Sequence, residues 1–176
     1  MFKKPFSVRL LCHIAILATL EIVLNRFCSI NTMGTKIGFS FVPICICAML
    51  YGPLWAGLTY GLADLVGAIA FPIGPYHVGF TIFAVVRGMI YGFLLYGGGR
   101  EKLRFSHVLT ASIVNPVLVS LCIDTLWVAM LFSSKSYWGW FLYRVPQSLV
   151  LVPLQIIVIP ILGRLAAILR KQGLAA

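Results

Sequence analysis

Long apolar runs separated by short polar breaks dominate the chain. A helix rises 1.5 Å per residue, so about 20 apolar residues cross the roughly 30 Å hydrocarbon layer of a bilayer. On that basis the pattern predicts helices over 8–27, 37–50, 54–71, 79–96, 108–132 and 141–169, the second of them short. The breaks are YGP at 51–53, FPIGPYHVG at 71–79, GGGREKLRF at 97–105 and SSKSYWGW at 133–140. Pro116 predicts a kink in the fifth helix, and Pro146, Pro153 and Pro160 bends in the sixth, whose first residues read as loop. The expected fold is all-α and integral to the membrane: a six-helix transmembrane bundle forming one membrane domain over 1–176.

Composition agrees with that reading. Hydrophobic residues make up 61% and charged residues 10%, against roughly 45–50% and 25% in soluble domains; the mean hydropathy is +1.01. The net charge of +10 does not imply nucleic-acid binding, because the basic residues cluster at the ends of apolar runs, where topology uses them. With the N-terminus inside, Lys3, Lys4, Arg9, Arg100, Lys102, Arg104, Arg164, Arg170 and Lys171 fall on the cytoplasmic side, and only Arg26, Lys36, Lys135 and Arg144 outside. The positive-inside rule therefore predicts that both termini are cytoplasmic. Trp138, Trp140 and Tyr143 then form an outer aromatic belt. The five cysteines show no CxxC and no metal-ligand spacing, and no cofactor is expected.

The polar residues inside the spans carry the chemistry, since a charge within the bilayer is costly and faces a partner or a cavity. Asp64 in the third helix lies about 10 Å, and Asp124 in the fifth about 12 Å, from the outer end of its helix. Trp127, three residues beyond Asp124, shares its helix face. A carboxylate with an indole one turn away suits a flat nitrogen heterocycle, whose N–H groups the acid accepts while the ring stacks. Arg87 lies in the middle of the fourth helix, away from its ends, and an Asp64–Arg87 ion pair is the alternative reading of those two residues. No base is obviously level with Asp124. Glu21 reads as structural. The four external bases suggest a positive ring over the outer mouth, drawing in an anion, or alternatively interface snorkellers. Gln147 lies on the Arg144 face of the sixth helix, Asn115 reads as a partner for backbone freed by Pro116, and His77 as a solvated loop histidine. Gly57 and Gly61, with Gly88 and Gly92, have the four-residue spacing of close helix packing.

The chain has no GxxxxGK[ST], so it has no P-loop with which to hydrolyse ATP, and it has no HExxH or GxSxG. The first helix carries small residues, Ala15, Ala18 and Thr19, suited to packing inside the bundle or against another membrane subunit.

The segments EIVLNRF (21–27), KIGFSFVPI (36–44), MLYGPLWAGLTYGLADLVGAIAFPIGPYHVGFT (49–81) and RGMIYGFLLY (87–96) carry a resemblance. In them the chain resembles the substrate-binding S-components of energy-coupling factor (ECF) vitamin transporters, the folate-specific type in particular. The resemblance implies a non-catalytic, multi-pass subunit in a bacterial plasma membrane. It implies capture of the vitamin from outside, in the outer half of the bundle, and delivery with a transmembrane coupling subunit and two ATPases. The small residues of the first helix would face the coupling subunit, with Thr19 standing where the family usually has alanine. With folate as the ligand, Asp124 and Gln147 are expected on the pterin with Trp127 stacking, and Arg26, Lys36 and Arg144 nearer the mouth. Asp64, His77 and Arg87 complete the expected binding set. Another vitamin such as riboflavin, a small membrane enzyme, and a stand-alone carrier are the competing readings.

Overall fold

The computed structural model describes residues 8–32, 35–72, 74, 76–96, 104–132 and 136–172. The elements are α1 (Val8–Arg26), β1 (Ile30–Thr32), β2 (Thr35–Ile37), α2 (Phe41–Tyr51), α3 (Pro53–Ala70), α4 (Val78–Leu95), α5 (Phe105–Leu131) and α6 (Tyr137–Lys171). All the helices except α2 are long and apolar enough to cross a membrane, five in total among the described residues.

Three spans begin and end within one residue of the hydropathy reading: α1, α3 and α4. The second does not. Residues 35–37 form a strand paired antiparallel with 30–32, Ile30 opposite Ile37 and Thr32 opposite Thr35. The helix therefore starts only at Phe41 and runs 11 residues, about 16 Å, half of what a span needs. Nine of its residues are buried, as expected for a helix apolar on every side. The last helix departs the other way. It begins at Tyr137, ahead of the expected 141, because Ser136 caps it, its hydroxyl accepting from the Gly139 amide. It continues for 35 residues through all three prolines.

One left-handed residue joins α2 to α3. Gly52 has φ 89°, a conformation that a side chain would strain, and Pro53 follows at the first position of α3, where its missing N–H costs nothing. The α3 and α4 backbones then run in close contact. A Cβ at Gly88 would fall on the backbone of Ala56, and one at Gly92 on Pro53. Small residues allow this approach, and in lipid van der Waals packing of this kind holds helices together.

The middle of α5, Val114–Ile123, is a π-helix beginning one residue before Asn115 and Pro116. Such wide turns appear where proline interrupts the regular ladder, and frequently at functional sites.

The two ends of the bundle differ in chemistry. Leu10 and Ile14 of α1, nearly all of α2, Leu95 of α4, Val108 of α5 and Ile159 and Leu162 of α6 form a continuous apolar core. That core occupies the end where α1 starts and α6 finishes. Arg170 donates there to the Met49 carbonyl, and His13 bonds the Tyr51 hydroxyl at 2.6 Å. The opposite end, where α1 finishes and the hairpin lies, holds a cavity.

Candidate ligand-binding site

The cavity has a volume of about 560 Å³, within the range that holds one drug-sized ligand. Residues from every long helix, the hairpin and the 71–77 loop line it. Seven of the residues expected from the sequence are on its wall: Arg26, Lys36, Asp64, Arg87, Asp124, Arg144 and Gln147.

Asp124 and Arg87 form an ion pair between α5 and α4, the carboxylate Oδ2 accepting from Nη2. This replaces the Asp64–Arg87 pair of the alternative reading and supplies Asp124 with the level base that the sequence did not reveal. Asp64 instead accepts from the Thr81 hydroxyl at 2.7 Å, and Tyr76 of the loop bonds that same hydroxyl. Arg144 is 6% exposed, held against α5 by Thr125 at 3.2 Å and Ser120 at 3.5 Å. It lies within the bundle wall, not on an exposed ring of charge. Lys135, the other member expected of that ring, lies outside the described residues, as do Lys3, Lys4, Arg100 and Lys102 of the orientation count.

Arg26 and Lys36 stand together near the hairpin, both on the cavity wall. Burial pushes the Lys36 ammonium down to about 8, and the neighbouring Arg26 pushes the same way; Glu21 and Asp64 oppose it. Glu21 is fully buried and accepts from the Asn25 amide at 2.8 Å, not from Arg26.

His77 and Trp127 do not line the cavity. They stack on each other, centroids 4.5 Å apart with 20° between the rings. His77 is also the N-cap of α4: its Nδ1 accepts from the Gly79 amide at 3.0 Å. Trp127 presses so close to that turn that a Cβ at Gly79 would meet the indole at 2.5 Å. The pair thus ties the loop before α4 to α5. On α1, Ala15 and Thr19 are exposed and Ala18 is partly so, and the Thr19 hydroxyl is turned back to the Ala15 carbonyl at 2.8 Å.

Several polar atoms on the wall are buried with no hydrogen-bond partner among the described residues: Asp124 Oδ1, Gln147 Oε1, Arg87 Nε, Arg144 Nε, and both ends of the Asn115 amide. Each such group costs about 1–3 kcal/mol if left unmet. Grouped around one cavity, they give its wall donors and acceptors that complement a polar ligand. The sequence reading makes Asn115 a backbone partner; the Asn–Pro step inside an apolar run is the available signal that this stretch is special. Tyr76, Thr81, Ser120 and Thr125 carried no such signal.

The ECF transporter, substrate-specific component family matches residues 9–163. The chain is similar to the folate transporter FolT of Clostridium novyi (strain NT), 37% identical over 87% of each chain. It is also similar to the folate transporter FolT of Leuconostoc mesenteroides subsp. mesenteroides, 28% identical over 81% of this chain and 78% of that one. Among solved structures it superposes on a crystal structure of FolT bound with folic acid, with a TM-score of 0.80 and 29% identity, over 89% of this chain and 93% of that one. By this match along most of its length, the chain belongs to the family of ECF transporter substrate-specific components.

Proposed function

We propose that this chain is the folate-binding subunit of an ATP-driven ECF importer, with both termini cytoplasmic and the cavity open to the outside of a bacterial plasma membrane. The observation that carries the reading is the polarity of the cavity. Arg26 and Lys36 stand at its hairpin end, while Asp124, Gln147 and Arg144 place partnerless polar atoms deeper between α5 and α6. Folate has the complementary halves, a pterin edge of N–H groups and a glutamate with two carboxylates. The FolT relatives and the FolT structure bound with folic acid support the same ligand. In this reading the pterin lies deep, where Asp124 Oδ1 and Gln147 Oε1 accept from it. The carboxylates lie toward Arg26 and Lys36, paired by charge-assisted bonds. Asp64, through Thr81 and Tyr76, steadies the loop wall, and the His77–Trp127 stack anchors the loop closing over the ligand.

Capture is separate from energy. The chain carries no P-loop, so ATP hydrolysis belongs to two partner ATPases, reached through a transmembrane coupling subunit. The exposed small-residue stripe of α1, Ala15, Ala18 and Thr19, is the proposed contact with that subunit. The test is uptake of labelled folate by cells without a folate transporter, expressing this chain with or without an ECF coupling module. Uptake only with the module supports the reading. Uptake by the chain alone makes it a stand-alone carrier.

A further inference from the structure

Asn115 is the least explained side chain among the described residues. It is 2% exposed, in the centre of a membrane span, yet neither Nδ2 nor Oδ1 has a partner among the described residues. With neither amide atom bonded, it does not serve the backbone around the neighbouring proline; the Pro116 carbonyl itself takes a hydrogen bond from Ser148 of α6, at 3.2 Å. The amide belongs to the cavity wall, on the same helix as Asp124. It sits in the first turn of the π-helical segment, where the wider turn departs from the regular α-helical ladder.

Resting on the folate reading above, we propose that Asn115 is a specificity-determining residue of the site, reading the hydrogen-bonding edge of the ligand's heterocycle through both ends of its amide. A primary amide presents a donor and an acceptor side by side. That pair complements a cyclic amide, whose N–H and C=O are also adjacent. Asp124 supplies only an acceptor at its free Oδ1, since Oδ2 is committed to Arg87. The carboxylate therefore selects for an N–H, and Asn115 selects for a donor next to an acceptor. A flat ligand without that edge leaves the amide unmet. This is a strong basis for rejection, because a site built to hydrogen-bond penalises an analogue that cannot.

The test compares wild type with Asn115→Leu, which has the same branched outline and no polar atoms, and with Asn115→Ser. Each is purified in detergent, checked by thermal unfolding, and titrated with folate and with pteroate, which keeps the heterocycle and lacks the glutamate. Asn115→Leu removes an unmet polar group, so its ligand-free midpoint is expected at or above that of wild type. Its affinities for folate and pteroate are expected to fall together by about tenfold or more. Folate affinity within about twofold of wild type in either folded variant overturns the assignment. So does a loss confined to folate, which would move Asn115 to the glutamate end, and so does failure of both variants to fold, which would make the amide a structural element. Wild type that does not bind folate defeats the functional reading itself, and this one with it; unchanged binding in the variants defeats this one alone.

Discussion

Asp124 divides its carboxylate between two tasks: Oδ2 pairs with Arg87 across the α4–α5 contact, and Oδ1 stays buried on the cavity wall without a partner among the described residues. Paired through Oδ2 with the Arg87 guanidinium, the carboxylate presents Oδ1 to the cavity as a hydrogen-bond acceptor. The free oxygen therefore selects for an N–H group on the ligand.

The pair itself is testable by a double-mutant cycle. Asp124→Leu leaves the Arg87 charge buried and uncompensated, and Arg87→Met does the same to Asp124. Each is expected to cost about 3 kcal/mol of stability, whereas Asp124→Leu with Arg87→Met recovers most of the loss. Thermal unfolding of the ligand-free protein in detergent measures this. Losses that simply add would mean the two charges do not interact.

The stack of His77 on Trp127 predicts coupling of a different kind. Aromatic pairs contribute about 0.5–1.5 kcal/mol beyond their burial. Removing either ring should loosen the loop and speed folate dissociation roughly fivefold, with little further effect when both are removed. Stopped-flow dissociation of the single and double alanine variants checks it. A loss in Trp127→Ala far larger than in His77→Ala would instead put the indole on the ligand.

Lys36 makes binding sensitive to pH on the alkaline side. Its ammonium, lowered by burial to about 8, is mostly charged near neutrality and neutral above that value. A bound carboxylate favours the charged form and raises this pKa, so binding at alkaline pH takes up a proton and weakens as pH rises. Affinity for folate should fall between about pH 7 and about pH 9, and Lys36→Met should remove the lysine's share of the fall. Calorimetric titrations across that range separate this share, by difference, from titration of the ligand. Identical profiles for the two proteins would exclude Lys36 from the carboxylate end.

The spans were legible where one run of apolar residues makes one helix, as in α1, α3 and α4. They were not legible where a non-local contact overrides the run. Ile37 looks like the start of the second helix until Ile30 is seen paired with it in a hairpin. The candidate polar residues were also legible, because charge within an apolar run is conspicuous. Their pairing was not: Asp64 and Asp124 stand at similar depth, and only the rotation of α4 and α5 about their axes decides which of them meets Arg87. Trp127 shows the same limit. Its position one turn from Asp124 was clear in the sequence, but the partner that occupies its face, His77, comes from a loop about 50 residues earlier.

The central claim is that the cavity takes folate, and the most direct measurement is a calorimetric titration of the purified chain, alone in detergent, with folate, riboflavin and thiamine. The account predicts saturable one-to-one binding of folate at submicromolar concentration, weakened about tenfold or more in Asp124→Asn, and no binding of the other two vitamins. Absence of folate binding by a folded chain, or tighter binding of riboflavin, would contradict it.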